Sequence, residues 1–360
     1  MSKLLKELYN EKYITLLVDN ITIYYPSFNK QSFINTIFCS SWDKKELKER
    51  MRHISTTLNQ FFPFDYKTSI DILKKTFSKI NYDFNLENII FQDFVEVYGL
   101  DYFDLSMDAL EHFTINSTSE FAIRQFIIKY PNKTMKQMIL WANNENEHIR
   151  RLASEGCRPR LPWAISLSMF KKDPTKVLDI LNILKNDKSK YVQKSIANNI
   201  NDISKDNPKV VLELSKKWIN KSSEINWILN HGCRTLLKNG NKDIFKLFGF
   251  KDITHIEISN IVFNMVVYIN ENLEFSFELN SKTNLGKIRV EYEIEFLRQN
   301  YNYNKKVFKI YEGVVNNKSK EFSKKHSFKP ITTRKYYKGI QRFTIIINGI
   351  RTISNEFVLN

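Results

Sequence analysis

Apolar residues recur at three- and four-residue steps through most of residues 1–252. This spacing is typical of amphipathic helices that bury one face, and one clear segment contains Ile70, Leu73, Phe77 and Ile80. Polar breaks separate such segments, at Pro131-Asn132, Asp173-Pro174, Asn207-Pro208 and Asn239-Gly240. The pattern predicts a helical domain over residues 1–252, with too many helices for a four-helix bundle.

The helical region contains a repeat. His148-Ile-Arg-Arg151 and Tyr191-Val-Gln-Lys194 open similar helices 43 residues apart, and further units fit around Phe121 and Trp227. This is the period of HEAT-type helix pairs, which stack into a curved solenoid and line its concave side with their second helices. We expect those helices to present cations to a curved polyanion such as duplex DNA, namely Arg124, Arg150, Arg151, Lys194 and Arg234.

The pattern changes near residue 253. Segments such as Phe275–Leu279, Arg289–Phe296 and Phe343–Ile347 alternate or run apolar as strands do. Asn348-Gly349 between two such runs predicts a type I′ hairpin. About seven short strands indicate an antiparallel β-sandwich of immunoglobulin type over residues 253–360. The predicted fold class is mainly α plus β, a HEAT-like α-helical solenoid followed by this sandwich.

The formal net charge is +16 and the isoelectric point is about 9.4, which favours a polyanionic partner. The Lys-, Asn- and Ile-rich composition accounts for part of this charge, so its placement matters more than its total. Residues 301–342 hold 12 Lys and Arg but only two Glu. These cations form either a second phosphate-binding surface, with Lys324, Lys325, Arg334 and Lys335, or an ordinary solvated loop surface.

Several classes of protein are excluded. Cys39, Cys157 and Cys233 are few and far apart, which argues against a disulfide framework. The six histidines occur singly and no CxxC pair exists, so we expect no metal and no cofactor. The first seven residues predict an amphipathic helix rather than a signal peptide. No apolar run reaches about 18 residues, and we expect a cytoplasmic monomer without a membrane partner.

The densest chemistry lies in residues 150–163. On a helix Arg151 and Glu155 share one face, while Arg150, Ser154 and Arg158 share another. Pro159 and Pro162 end that helix and direct Trp163 away from a rigid corner. Glu155 is either a catalytic carboxylate or the ion-pair partner of Arg151, and Trp163 is either a site residue or a core aromatic.

A second group of polar residues lies 40 to 50 positions later. Lys194, Asn198 and Asp202 form one polar stripe if their helix is continuous, and the repeat places it beside the Glu155 helix. Asp202 is alternatively an N-cap of a following helix. Glu120 is a third candidate acid, or a first-turn acid favoured by a helix dipole.

Together these strings resemble the DNA alkylation repair family of HEAT-like glycosylases, in its AlkC-like branch. The resemblance rests on Arg150-Arg-Leu-Ala-Ser-Glu-Gly, Arg158-Pro-Arg-Leu-Pro-Trp163 and Ala197-Asn-Asn-Ile-Asn-Asp-Ile-Ser-Lys205, with Leu247-Phe-Gly-Phe250 after them. The stretch Lys324–Tyr337 is similar to the immunoglobulin-like domain found in part of that branch. The likeness covers most of residues 110–360, and Cys157 departs from it where a small polar residue is expected.

The resemblance implies a monofunctional DNA glycosylase that excises 3-methyladenine and 3-methylcytosine from double-stranded DNA in base excision repair. It implies that Asp202 activates water, with Glu155 as electrostatic partner, Glu120 as a third acid and Trp163 covering the deoxyribose. Arg151, Arg158, Arg160 and Lys194 would then hold phosphates around the lesion. The alternatives are a non-catalytic solenoid that binds bent or branched DNA, and a peptide-binding scaffold.

Overall fold

The computed structural model describes residues 4–80, 84–331 and 334–360. They divide into two compact units, a helical unit within residues 4–211 and 218–232 and a sandwich unit within residues 212–217 and 233–360. Met1, Ser2 and Lys3, part of the predicted N-terminal helix, lie outside the described residues. The rest of that segment forms only a short 3-10 helix, Leu5–Leu8. The domain boundary expected at residue 252 stays a prediction.

The helical region confirms the prediction from apolar spacing. A second 3-10 helix spans Trp42–Lys44. The α-helices are α1 Glu11–Tyr24, α2 Lys30–Ile37, α3 Leu47–Phe61, α4 Tyr66–Phe77, α5 Ile89–Tyr98, α6 Phe103–Thr114, α7 Ile123–Lys129, α8 Pro131–Ala142, α9 Glu147–Gly156, α10 Ser168–Lys172, α11 Thr175–Leu184, α12 Lys190–Asp206, α13 Pro208–Trp218, α14 Ser223–Gly232, α15 Arg234–Lys238 and α16 Lys242–Leu247. None of these helices is long and apolar enough to cross a membrane.

Side-chain caps set where the repeated helices begin. Asn146 accepts a hydrogen bond from the backbone N–H of His148, and Ser189 accepts one from that of Tyr191. Such caps satisfy N–H groups that have no partner within the helix. Two equivalent helices, α9 and α12, therefore start at matching points of the repeat. They pack against each other, and α12 also packs against α14, which places the predicted site on neighbouring elements.

Within its described residues, the sandwich unit contains eight strands in two sheets. They are β1 Ile256–Phe263, β2 Val266–Val267, β3 Asn272–Ser281, β4 Gly286–Leu297, β5 Tyr303–Val315, β6 Ser319–Ser327, β7 Gly339–Ile347 and β8 Ile350–Leu359. One sheet has the order β1-β3-β6 and the other β2-β8-β7-β4-β5. Both sheets contribute to one apolar core, which includes Phe277, Tyr292, Phe343 and Phe357.

The predicted hairpin and antiparallel pairing are confirmed with one exception. Asn348 and Gly349 both have positive φ, 46° and 77°, as a type I′ turn between β7 and β8 requires. A Cβ on Gly349 would lie 2.6 Å from the Phe245 ring, so this position needs glycine for space as well. The exception is the two-residue strand β2, which pairs with β8 in parallel.

Candidate active site

Hydrogen bonds fix the register between α9 and α12. The Asn199 side-chain amide donates to the Ser154 carbonyl oxygen at 2.6 Å, and the Ser154 hydroxyl donates to Ser195 Oγ at 2.7 Å. Ser195 in turn donates to Glu155 Oε2 at 2.7 Å. Because these polar groups are buried, each unmade bond would be costly. The two helices therefore hold Glu155 at their interface.

Arg158 joins the two acids that the sequence singled out. Its Nη1 donates to Glu155 Oε1 at 2.7 Å, and its Nε donates to Asp202 Oδ2 at 2.9 Å. Since α9 ends at Gly156, Arg158 lies beyond the helix, and the prediction that it shares a face with Arg150 is wrong. Arg158 is only 7% exposed, so it cannot reach a phosphate without leaving two buried carboxylates.

The ion pairs continue to a third acid. Arg151 Nη1 donates to Glu120 Oε2, while Arg151 Nη2 lies 3.7 Å from Glu155 Oε1. The acid–arginine chain therefore runs through Glu120, Arg151, Glu155, Arg158 and Asp202. Its three carboxylates and two guanidinium groups carry a formal net charge of −1. The Glu155 pairing with Arg151 exists, but its shorter contact is with Arg158.

The alternative structural interpretations of the two outer acids are wrong. The helix α12 continues through Asp202 to Asp206, so Asp202 is not an N-cap. The helix α7 begins at Ile123, so Glu120 precedes it and pairs with Arg151 instead of lying in its first turn. The continuous helix confirms that Lys194, Asn198 and Asp202 share a stripe, which runs from exposed Lys194 to buried Asp202.

Burial shapes the electrostatics of the acid–arginine chain. Glu155, Asp202 and Glu120 are 6%, 2% and 8% exposed. Burial raises the pKa of Glu120, and Arg151 only partly opposes this shift. Burial alone would lower the pKa of Arg151 and of Arg158, but the neighbouring carboxylates raise both pKa values above the ordinary value. Both guanidinium groups therefore stay charged beside the acids.

Trp163 lies on the surface. Its side chain is 63% exposed and its φ is 62°, so the interpretation as a core aromatic is wrong. It borders a groove of about 650 Å³ whose other lining residues are Leu4, Leu5, Lys6, Glu46, Leu47 and Lys48. The prolines before Trp163 are consistent with its exposure at a corner of the chain. The groove itself is formed partly by residues near the N-terminus, and the spacing of the motifs does not predict that contribution.

The predicted phosphate-binding cations fall into different environments. Arg124 is fully buried, and burial lowers its pKa to about 10, so its predicted exposure on the solenoid surface is wrong. Arg150 forms a bidentate pair with Asp187 at 2.6 and 3.1 Å. Arg160 pairs with Asp206 at 2.6 Å but keeps 38% of its side chain exposed. Lys194 is exposed. Arg234 opens α15 in the sandwich unit and is half-buried.

The sandwich cations are also divided. Lys324 and Lys325 are exposed on β6, and Lys325 pairs with Glu274 at 2.7 Å. Arg334 instead lies over the Phe296 ring, 4.4 Å from its centroid, and Lys335 lies 5.4 Å from the centroid of Tyr337. Some of the positive charge in this stretch is therefore neutralised by an ion pair, and some is packed against aromatic rings. Thr332 and Thr333, in the same stretch, lie outside the described residues.

Three contributors to the site were missed. The Arg151 guanidinium carbon lies 4.7 Å from the centroid of the Tyr191 ring. The Ser195 hydroxyl donates a hydrogen bond to Glu155, and the Lys48 ammonium group donates one to the Trp163 carbonyl oxygen. Ser195 lies 40 residues after Glu155 and could have been found from the repeat. Across residues 4–80, 84–331 and 334–360, no cluster of three or more His, Cys, Asp or Glu is suited to hold a metal ion.

Comparison with known proteins identifies the family. A family model described as "DNA alkylation repair enzyme" matches residues 107–236, and one described as "Uncharacterised protein YhaZ, C-terminal Ig-like domain" matches residues 258–360. The chain is 42% identical over 347 residues to YhaZ of Bacillus subtilis (strain 168), with 96% of each protein covered. It therefore belongs to the DNA alkylation repair enzyme family, in the branch with a C-terminal immunoglobulin-like domain.

One solved structure is similar to this chain over its whole length. The fold is similar to that of the Pseudomonas fluorescens alkylpurine DNA glycosylase AlkC bound to DNA containing an abasic-site analog. The TM-score is 0.95, the sequence identity is 32%, and the match covers 99% of this chain and 100% of that one. This agreement confirms the fold class predicted from the sequence, a helical-repeat region followed by a strand-rich immunoglobulin-like domain.

Proposed function

We propose that this chain is a monofunctional DNA glycosylase that excises cationic N-alkylated bases from double-stranded DNA. Its substrates would be 3-methyladenine and 3-methylcytosine, and it would act as a monomer. The observation that carries the proposal is the pair of buried carboxylates, Glu155 and Asp202, joined by Arg158. Family membership and the fold of the DNA-bound AlkC support the same assignment.

The chemistry of the substrate explains why carboxylates suffice. Alkylation of a ring nitrogen leaves the base positively charged, so the base departs with the bonding electron pair and becomes neutral. The sugar left behind has oxocarbenium character, and water adds at its C1′ while losing a proton. A carboxylate held in place near that carbon stabilises the developing cation, most strongly where water is excluded. Such a reaction requires no acid to protonate the leaving base.

The acid–arginine chain suggests a division of roles. Asp202 would take the proton from the attacking water, Glu155 would stabilise the sugar cation, and Glu120 would add charge at the far end. General base catalysis of this kind contributes about 10²–10⁴-fold. Trp163 would cover the deoxyribose, and an aromatic face attracts a cation by about 0.5–2 kcal/mol.

Arg158 has a different role in this proposal from the one suggested by sequence. Because it bonds to Glu155 and Asp202 simultaneously, it would keep the two carboxylates close together despite their repulsion. Phosphates would instead meet the exposed cations, which are Lys194, Arg160, Lys324, Lys325 and Lys335, with the half-buried Arg234 as a further contact. Arg151 and Arg334, which the sequence also suggested, would need to leave Glu120 and the Phe296 ring to do so. Arg150 would stabilise the fold through its ion pair with Asp187 rather than bind DNA.

The decisive experiment is base release from methylated duplex DNA under single-turnover conditions. Asp202→Asn and Glu155→Gln remove charge while keeping shape, and we expect each to slow release at least about 100-fold without loss of DNA binding. Asp179→Asn is a matched control, because Asp179 is exposed on α11. If the wild type binds DNA tightly but releases no base, the protein is instead a non-catalytic DNA-binding repeat protein and its buried acids are structural.

A further inference from the structure

The loop of residues 157–167 between α9 and α10 presents Trp163 in an unusual conformation. A φ of 62° is rare for a residue with a bulky side chain. Such strain persists only where surrounding contacts hold the backbone in place, and it concentrates at functional sites. The Leu167 N–H closes the loop on the Pro159 carbonyl oxygen at 3.1 Å. The Ala164 N–H also donates to the Leu161 carbonyl oxygen at 3.3 Å, which closes a turn with Trp163 at its third position, where some turns require a positive φ. Neither bond involves the Trp163 carbonyl oxygen.

Arg124 holds the loop from its buried side. Its Nη1 donates to the carbonyl oxygens of Gly156 at 3.0 Å and Arg158 at 2.8 Å, and its Nε donates to that of Ile165 at 2.7 Å. One fully buried guanidinium on α7 thus fixes both ends of the segment around Trp163. These bonds constrain the loop but do not reach the Trp163 peptide.

Lys48 supplies a side-chain hydrogen bond to the Trp163 carbonyl oxygen. Its ammonium group on α3 also lies 5.0 Å from the centroid of the Phe121 ring. Phe121 directly follows Glu120, the outermost acid of the acid–arginine chain. Lys48 therefore touches both the backbone that presents Trp163 and the turn that carries Glu120. It precedes residues 110–360, the part of the sequence that carries the family resemblance.

We propose that Lys48 is a positioning residue that fixes the Trp163 peptide relative to the turn that carries Glu120, the outermost acid of the acid–arginine chain. This proposal rests on the proposed glycosylase function, since it assigns Lys48 to the presentation of the indole that covers the sugar. Lys48 acts through its contacts with the Trp163 carbonyl oxygen and the Phe121 ring. Arg124 holds the same loop from its buried side through hydrogen bonds to three carbonyl oxygens. The exposure of Lys48 makes it suitable for substitution, because its side chain is not part of the core.

The first test needs no catalysis. Protein labelled with 5-fluorotryptophan is observed by ¹⁹F NMR without DNA, and the Trp163 resonance is assigned from Trp163→Phe. We expect Lys48→Met to shift or broaden this resonance and leave those of Trp141 and Trp218 unchanged. Lys67→Met, at an exposed lysine of α4, is the charge-matched control and should change none. An unaltered Trp163 resonance in Lys48→Met would overturn the proposal.

The second test measures base release at saturating protein together with the Kd for DNA. We expect Lys48→Met to reduce the saturated rate about tenfold with little change in Kd, and Lys48→Arg, which keeps an N–H donor, to recover part of it. A weaker Kd with an unchanged saturated rate would make Lys48 an ordinary phosphate contact and overturn the positioning role. If the wild type releases no base, the glycosylase proposal fails, while the NMR test still decides whether Lys48 places Trp163.

Discussion

Arg158 Nε donates to Asp202 Oδ2 at 2.9 Å and thereby ties the loop after α9 to the interior of α12. The side chains of Arg158 and Asp202 are only 8% and 2% exposed. A buried pair of this kind adds little net stability compared with apolar residues, but losing one partner leaves an uncompensated buried charge. Here the loss would affect two carboxylates, because Arg158 also holds Glu155. The cations that remain, Lys205 at 3.4 Å from Asp202 and Arg151 at 3.7 Å from Glu155, make longer contacts than Arg158 does.

We therefore expect Arg158→Leu to lower the free energy of unfolding by about 3–5 kcal/mol and to abolish base release. Arg158→Lys keeps the charge but cannot reproduce both bonds, so its loss of stability should be smaller. Urea denaturation measures the difference. Arg160→Leu is the control, since its pair with Asp206 is partly exposed and worth about 0–1 kcal/mol. Equal losses for the two leucine variants would contradict this view of Arg158.

The environments of Lys194 and Arg150 predict opposite effects on DNA binding. Lys194 is exposed, so Lys194→Met should reduce the slope of log Kobs against log salt by about 1, as the loss of one phosphate contact does. Arg150→Met should leave the slope unchanged. It should instead reduce stability by about 1–3 kcal/mol, because Asp187 is buried beneath it.

Fluorescence titrations from 50 to 200 mM salt, roughly the range over which such contacts are resolved, provide the comparison. Thermal unfolding of both variants supplies the second measurement. A salt slope altered by Arg150→Met but not by Lys194→Met would show that the phosphate-binding surface lies elsewhere.

The fold could be predicted largely because local patterns determine it. Apolar steps of three and four residues indicated the helices, and the turn residues between them marked their ends. Asn348-Gly349 revealed the hairpin because both residues adopt positive φ. The parallel pairing of β2 with β8 was not predictable, since two-residue strands have no periodicity and their pairing depends on distant chain segments.

The candidate site was predictable in its acids but not in its connections. The 43-residue repeat placed Glu155 beside Asp202, yet helix-face geometry misplaced Arg158, because α9 ends two residues earlier. Charge alone could not distinguish exposed Lys194 from buried Arg124, since both lie on helices of the repeat. The contact between Lys48 and Trp163 could not be predicted, because the two residues are 115 positions apart in the sequence and local patterns carry no information about such distant contacts.

The proposed mechanism predicts selectivity for lesions that are already cationic. An uncharged base is a poor leaving group, and the acid–arginine chain offers carboxylates and permanently charged guanidinium groups rather than an acid placed to protonate it. We expect release of 3-methyladenine and no measurable release of hypoxanthine or uracil from otherwise identical duplexes. Chromatography of the released bases measures this directly. Efficient excision of either neutral base would contradict the proposed mechanism.

His326 predicts how stability depends on pH in the sandwich unit. It is 8% exposed, lies 2.9 Å from the Tyr292 hydroxyl through Nδ1, and packs 4.7 Å from the Phe308 ring centroid. Burial, assisted by the nearby charge of Arg334, lowers its pKa from 6.5 to about 4. Between these two values the unfolded chain binds a proton that the folded chain does not bind, so stability falls as pH falls.

The contribution of His326 is therefore fully present above pH 6.5 and is lost progressively toward about pH 4. A shift of this size corresponds to roughly 3 kcal/mol in total. In urea titrations at pH 7.5 and 4.5, roughly bracketing the transition, His326→Gln should lose less stability on acidification than the wild type. His255→Gln is the control, because it removes a half-buried histidine of the same unit and should leave most of the pH dependence. If His326→Gln loses as much stability on acidification as the wild type does, other groups control the pH dependence.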